Sequence, residues 1–267
     1  MQSLPLLIDS HAHICMEAFD QDRHEVLQKA FEEGITAILC PLELTHPEEI
    51  EVAQSLQEKY PNIIYAAGIH PHSARLFTPN NLKMLEELAE SGFIHALGEI
   101  GLDFHYNYSE QDVQKKIFEY QLRLAQSLKL PVVIHSRKAV LEIEEILEKT
   151  GFTQGGMMHC YTEDYAFAFR MINRGFAISF SGIITFPNAQ SLREVAKDIP
   201  LNGLLIETDS PYLTPVPYRG RIKRNEPRYV RETAHFLSRI RGESIDKFSR
   251  RISYNFQSLF SFEIKNP

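Results

Sequence analysis

The chain has 267 residues, 43% of them hydrophobic, and a formal charge of −7. That length buries one large core and matches a single α/β barrel, while the acidic balance argues against strong nonspecific nucleic-acid binding. No apolar run approaches the roughly 18 residues a membrane span needs.

In chain order, short β-branched runs alternate with longer amphipathic ones. The predicted strands are LLIDSHAHI from Leu6, TAILCPLEL from Thr36, IIYAAGIH from Ile63 and IHALGEIGLDF from Ile94. PVVIHS from Pro131, GGMMHCY from Gly155, FAISFSG from Phe176 and LLIETDS from Leu204 complete the set. Helices are predicted from Asp20 to Glu33, Pro47 to Lys59 and Glu110 to Lys129. In the last of these, Val113, Ile117, Tyr120, Leu124 and Leu128 repeat at helical spacing. Gly34, Gly92 and Gly151 stand where helix C-caps are expected. Glu226 to Arg239 and Glu243 to Leu259 read as two closing helices. Eight strands alternating with helices predict a parallel sheet, and eight is the number that closes a (β/α)8 TIM barrel, here as a single domain over residues 1–267. A doubly wound open sheet would carry a glycine-rich phosphate loop after its first strand, whereas this first strand ends in HAH.

The start, MQSLPLLIDSHAHI, lacks a basic region and is expected to run directly into a strand rather than act as a signal peptide. Cys15, Cys40 and Cys160 are too few and too scattered for a disulfide framework and read as buried free thiols. A reducing cytoplasm is the expected location. Charge is uneven. Residues 201–267 hold 12 Lys and Arg against 7 Asp and Glu, while residues 1–200 hold 16 against 28. The basic end includes PYRGRIKRNEPRYVR, which reads either as a solvated face or as a phosphate-contacting loop.

The chemistry is read from where the ionisable residues fall. His11 and His13 are placed at the end of strand one, Glu99 of strand four, His135 of strand five, His159 of strand six and Asp209 of strand eight. Taken singly, each has an ordinary alternative. An HxH pair arises by chance, a strand carboxylate sits at a solvated edge, a lone histidine is satisfied in a core, and an Asp ends a turn. Six candidates on five strands at one barrel mouth are poorly explained by six separate structural roles. Four imidazoles and two carboxylates are what two nitrogen- and oxygen-ligated divalent ions require. No lysine stands at a matching strand end to bridge them, which leaves Glu99 as the bridging candidate.

Eight motifs, in order, resemble the TatD family of metal-dependent deoxyribonucleases within the amidohydrolase-like barrels. They are DSHAH (Asp9–His13), GIHPH (Gly68–His72), ALGEIGLDF (Ala96–Phe104), PVVIHSR (Pro131–Arg137), HCY (His159–Tyr161), SFSGIITFPNA (Ser179–Ala189), ETDSPYLTPVPYRG (Glu207–Gly220) and KRNEP (Lys223–Pro227). The resemblance implies one metal held by His11, His13, Glu99 and Asp209 and a second held by Glu99, His135 and His159. It implies catalytic roles for Glu99 and Asp209, with Asp209 accepting a proton from the nucleophilic water. His70 and His72 are implied to lie near the substrate phosphate. Arg137 and Arg224 are expected to grip phosphate, with Arg219, Arg221 and Lys223 in the same loop as Arg224 as further candidates. The family usually reads RGKRNEP, and Arg221–Ile222 lengthen that loop here. The cofactors expected are two divalent ions (Zn, Mn or Mg), and the expected partner is a DNA substrate, with no membrane and no obligate protein partner. The expected activity is 3′→5′ exonucleolytic hydrolysis. The alternatives are an esterase or amidase such as a D-aminoacyl-tRNA deacylase, and a barrel scaffold without catalysis.

Overall fold

The computed structural model describes residues 6–265. The opening segment 1–5, read above as leading into the first strand, lies outside them. Eight strands alternate with helices: β1 (Leu7–Asp9), α1 (Arg23–Glu32), β2 (Ile35–Glu43), α2 (Pro47–Gln57), β3 (Ile63–Gly68), α3 (Pro79–Glu90), β4 (Ile94–Asp103) and α4 (Gln111–Leu128) open the chain. β5 (Val132–Arg137), α5 (Val140–Thr150), β6 (Gly156–Met158), α6 (Tyr165–Asn173), β7 (Phe176–Phe180), α7 (Gln190–Asp198) and β8 (Leu204–Ile206) follow. α8 (Val230–Ile240) and α9 (Ile245–Phe260) close it. The sheet is parallel throughout, and its strands lie side by side in chain order. This is the expected (β/α)8 TIM barrel.

The strand sequences explain why both faces of the sheet are covered. β3 (IIYAAG) and β7 (FAISF) are buried at every position, as a strand must be when helices lie outside it and barrel side chains inside. The helices begin where sequence chemistry starts them. Pro is the first residue of α2 and α3, Thr78 and Asn81 form a capping box on α3, and Asp164 caps α6 by accepting from Phe167 N at 2.8 Å. Gly34, Gly92 and Gly151 all take positive φ at or just past helix C-termini, as expected.

The buried face of α4 differs from the stripe read in the sequence. Ile117, Phe118, Leu122 and Ala125 are buried together with Gln114 and Gln121, while Tyr120 stays exposed. The two glutamines are interior because they satisfy strand-end backbone. Gln114 receives Asp103 N at 2.8 Å and donates to Asp103 O at 3.0 Å, and Gln121 does the same for Ile69 at 2.7 and 3.1 Å.

Two features aim side chains at the barrel mouth. The first is a bulge in β4. Leu97 pairs with Val132 and Ile100 with Ile134, so one extra residue is accommodated around Gly98 and Glu99. Gly98 permits it, since a Cβ there would meet Val133 Cβ at 2.5 Å. Gly101, at φ +138°, would drive a Cβ to 2.1 Å from the His135 carbonyl oxygen. The second is the seam between β1 and β8, where the barrel closes by hydrogen bonds beyond the strand ends. Ser10 N reaches Ile206 O at 2.9 Å, Asp209 N reaches His11 O at 2.9 Å, and His13 N reaches Ser210 O at 2.8 Å. Asp9 fastens the same seam, accepting from the Thr208 hydroxyl at 2.6 Å and Thr208 N at 2.8 Å.

Candidate metal centre

Glu99 is the hub of the mouth. It is the sixth of ten residues in β4 rather than the last, and it lies in the bulge between the Leu97–Val132 and Ile100–Ile134 pairs. Its two oxygens face two groups of donors. Oε1 lies 2.7 Å from His159 Nε2, 2.8 Å from His135 Nδ1 and 3.2 Å from His70 Nε2. Oε2 lies 3.3 Å from His11 Nε2 and 3.9 Å from His13 Nε2. Asp209 Oδ1 completes the second group, 3.3 Å from His13 Nε2 and 3.7 Å from His11 Nε2. All six predicted ligand candidates therefore come together, and His70 and His72 join them. His11 and His13 project from the extension just past the end of β1 rather than from the strand itself.

The spacing fits metal. Two donors on one tetrahedral ion, each about 2.1 Å from it, stand about 3.4 Å apart. The His11 and His13 Nε2 atoms are 3.2 Å apart, and His135 Nδ1 and His159 Nε2 are 3.3 Å apart. The triplets His11–His13–Glu99, His70–Glu99–His135 and His11–His159–Glu207 each gather their donors closely enough to hold an ion. Burial alone would raise Glu99, but His159, His70 and the imidazoles around them hold its carboxyl well below the usual range. It is ionised and acceptor-only.

His70 is tautomerically fixed. Its Nδ1 accepts from His72 N at 3.2 Å, so its proton sits on Nε2, which donates towards Glu99. Burial pushes its pKa down to about 4, against the pull of Glu99, so the ring is neutral at physiological pH. That makes His70 a hydrogen-bond donor to the centre.

Three carboxylates outside the predicted ligand set support this ring. Asp103, fully buried at the end of β4, accepts from His72 Nε2 at 2.8 Å and lies 3.3 Å from His135 Nε2. An acceptor on Nε2 turns His135 so that Nδ1 presents its lone pair to the centre. Burial opposes ionisation of Asp103, but those two imidazoles and the amides of Tyr106 and His105 keep its pKa far below the usual range. Glu207 lies behind His159, 3.4 Å from Nδ1, and accepts from Cys160 N at 2.6 Å. Its Oε2 and the Nδ1 of His11 are buried with no hydrogen-bond partner. Asp9 is the third, and burial raises its pKa well up despite its hydrogen bonds to Thr208 and His11. The signal available in sequence was that Asp9, Asp103 and Glu207 each end or follow an apolar strand run, as the ligands do.

The predicted phosphate-binding arginines separate. Arg137 ends β5 and stacks on the Tyr106 ring at 4.6 Å. Among the described residues no carboxylate lies within ion-pair distance of it. Arg224 is spoken for. It hydrogen-bonds Asp22 Oδ2 at 2.7 Å and the Ala18 carbonyl, lies 3.6 Å from Glu226 and covers the Phe19 ring at 4.3 Å. Arg219 stacks on Phe186 at 3.8 Å. Cys15 and Cys40 are buried free thiols, whereas Cys160, beside His159, is half-buried.

The family profile described as TatD related DNase matches residues 8–261. The chain belongs to the TatD family of metal-dependent hydrolases. Bacillus subtilis (strain 168) YabD, described as an uncharacterized metal-dependent hydrolase, is 38% identical over 256 residues, spanning 96% of this chain and 99% of that one. An Erwinia amylovora protein described as the 3′-5′ ssDNA/RNA exonuclease TatD is 33% identical over 95% of this chain and 99% of its own. The crystal structure of the Escherichia coli TatD homologue YJJV superposes with a TM-score of 0.89 at 28% identity, covering 96% and 98% of the two chains. No described helix of this TatD chain is long and apolar enough to cross a membrane.

Removing metal from a TatD centre of this composition should make stability depend on pH in a defined direction. In the metal-free chain, burial lowers His13, but Asp209 and Glu99 outweigh it and raise its pKa to about 9, and the neighbouring carboxylates also raise His135 and His159. Groups raised above their unfolded value of 6.5 stabilise the fold fully below that pH and lose the contribution as pH climbs through the folded value. His11 and His70 are shifted down and are already neutral in that window. The melting temperature of chelator-treated protein should therefore fall between pH 6.5 and about 9, and metal-loaded protein, whose donors are held deprotonated, should not follow it. Parallel melting curves that do not diverge with pH would contradict the assignment.

Proposed function

We propose that this protein is a divalent-metal-dependent exonuclease that hydrolyses DNA phosphodiesters from the 3′ end. The observation that carries the reading is the division of donors about Glu99: His11, His13 and Asp209 on one oxygen, His135 and His159 on the other. Each half has the composition of one ion site, and Glu99 is the group common to both. The family description and the name of the Erwinia relative support DNA as substrate. When bound, divalent ions would supply positive charge for an anionic phosphodiester and acidify water at the site.

The chain's own groups supply the rest. Asp209 is the proton acceptor. It is buried, yet His13 and His159 keep its pKa below the usual range, so it is ionised and available. Neutral His70 donates its Nε2 proton into the site, and His72, anchored on Asp103, closes the wall beside it. Arg137 is the phosphate-binding cation of this reading, because its charge is not neutralised by a described neighbour. Arg224 can contribute only by exchanging Asp22 for phosphate.

The test is metal-dependent cleavage of single-stranded DNA labelled at either end. The 3′ label should leave at once as a mononucleotide, while 5′-labelled product shortens stepwise, and chelator should stop both. Metal-loaded protein that leaves DNA intact but releases an aminoacyl group from an ester would move the activity to the deacylase class.

A further inference from the structure

Two large aromatic side chains stand in water at the lip of the metal centre. Tyr106 is 47% and Tyr108 60% exposed, and their rings stack on one another with centroids 5.5 Å apart and planes only 10° from parallel. Exposed aromatics of this size ordinarily fold back onto apolar surface. These are instead held out by a loop pinned at both ends. At its start, Asp103 accepts from the amides of His105 and Tyr106 at 2.8 and 3.0 Å. At its end, the Ser109 hydroxyl donates to His72 O at 2.8 Å and receives Arg75 N at 3.0 Å, while Gln114 donates to Ser109 O at 2.8 Å. The loop is thereby fixed to the same Asp103 that holds His72 and His135. The pair also abuts the centre, with the His72 ring edge-on to Tyr108 at 4.8 Å and to Tyr106 at 5.7 Å, and His72 in turn 4.4 Å from the His70 ring. Arg137 lies over Tyr106 at 4.6 Å.

We propose that Tyr106 and Tyr108 form a platform on which an unpaired nucleobase stacks while the adjoining phosphate lies between Arg137 and the Glu99-centred donors. This deepens, and rests on, the nuclease reading above. A rigid aromatic face beside a cation matches what single strands use. Every base has a π-face, so stacking holds the strand without reading its sequence, and the guanidinium takes the phosphate. A base within a duplex is covered on both faces, so the platform takes only a strand end that has been freed.

The experiment compares wild type with Tyr106→Leu/Tyr108→Leu, which keeps the apolar bulk and removes the π-face. Both positions are exposed, so the variant should keep the wild-type melting temperature. The first probe is a single-stranded oligonucleotide with 2-aminopurine at its last or next-to-last 3′ position and phosphorothioate at its final linkages. The wild type should quench its fluorescence, and the variant should not. The second is KM for a normal oligonucleotide against one with abasic residues at its 3′ end. In wild type the base-bearing substrate should have the lower KM by about tenfold or more, the loss expected when one base–aromatic contact is removed. In the variant that ratio should collapse towards one. Equal quenching by both proteins, or an unchanged ratio, overturns the platform. A wild type that cleaves neither oligonucleotide sinks the nuclease reading, and the quench then still decides whether the tyrosines stack a base.

Discussion

Glu99→Ala is expected to empty the centre. Its Oε1 faces His135, His159 and His70, and its Oε2 faces His11 and His13. Removing it takes one anionic donor from each half and leaves four imidazoles whose nitrogens approach within 3.2 and 3.3 Å, with Asp209 facing only the His11–His13 pair. Metal content should drop from about two ions per chain towards none, and turnover should fall below detection, since water activation depends on those ions. His159→Ala is the informative contrast. Of the two Glu99 oxygens that ring faces only Oε1, so one site should weaken more than the other. Changing a supporting residue, as in Asp103→Asn, should cost less, about 10–100-fold in metal affinity, through misorientation of His135. Elemental analysis across the three variants orders them, and a Glu99→Ala protein with wild-type metal content would remove Glu99 from the bridge.

Asp209→Asn separates holding metal from moving a proton. The amide keeps the size and one oxygen near His13 and His11 but loses basicity and charge. The variant should still bind metal, more weakly, and still bind DNA. Its turnover should fall about 10²–10⁴-fold, the range for a lost general base, and the acidic limb of the rate profile should shift or vanish. Glu207→Gln is the necessary companion. Glu207 stands two residues earlier and is fully buried, and its contacts are His159 Nδ1 and Cys160 N, with His11 in the same donor cluster but His13 outside it. It should therefore act through the orientation of His159, changing metal affinity more than turnover of the loaded enzyme. Near-normal turnover in metal-loaded Asp209→Asn, with collapse in Glu207→Gln, would exchange the two roles.

The barrel and the ring of donors were legible in the sequence because each strand–helix unit repeats the same grammar: an apolar run, an ionisable residue, then a turn. His135 after PVVI and His159 after GGMM stood out because a polar ring ends an otherwise buried run. Glu99 was legible as a candidate but not in its true position. Its placement depends on a bulge that only pairing with β5 defines, and a single strand carries no sign of its partner's register. The supporting roles of Asp103 and Glu207 were not legible for a related reason. Each sits close in sequence to a more conspicuous acid, and only the fold reveals which one faces the mouth and which stands behind an imidazole. Arg224 belonged to a basic run whose positive character was plain. Its commitment to Asp22, some two hundred residues earlier, was invisible until both were placed. No motif in the sequence sets the tyrosines of HYNY, Tyr106 and Tyr108, apart. Their significance lies in a shared orientation imposed by Asp103, Ser109 and Gln114.

The β1–β8 seam carries a consequence for how the protein is made. His11 and His13 are synthesised about two hundred residues before Asp209. Asp9 meets Thr208 across 199 positions of chain. A contact that distant forms only after most of the intervening polypeptide has been ordered, because the loop it closes spans 199 of the 267 residues. No nascent fragment therefore owns the half of the centre that contains Asp209. A chain that has not yet reached Asp209 carries imidazoles but no complete set, so hydrolysis at this centre waits for the eighth strand. Metal, when bound by His11, His13 and Asp209, would join the first strand's extension to the eighth's and so favour the closed barrel.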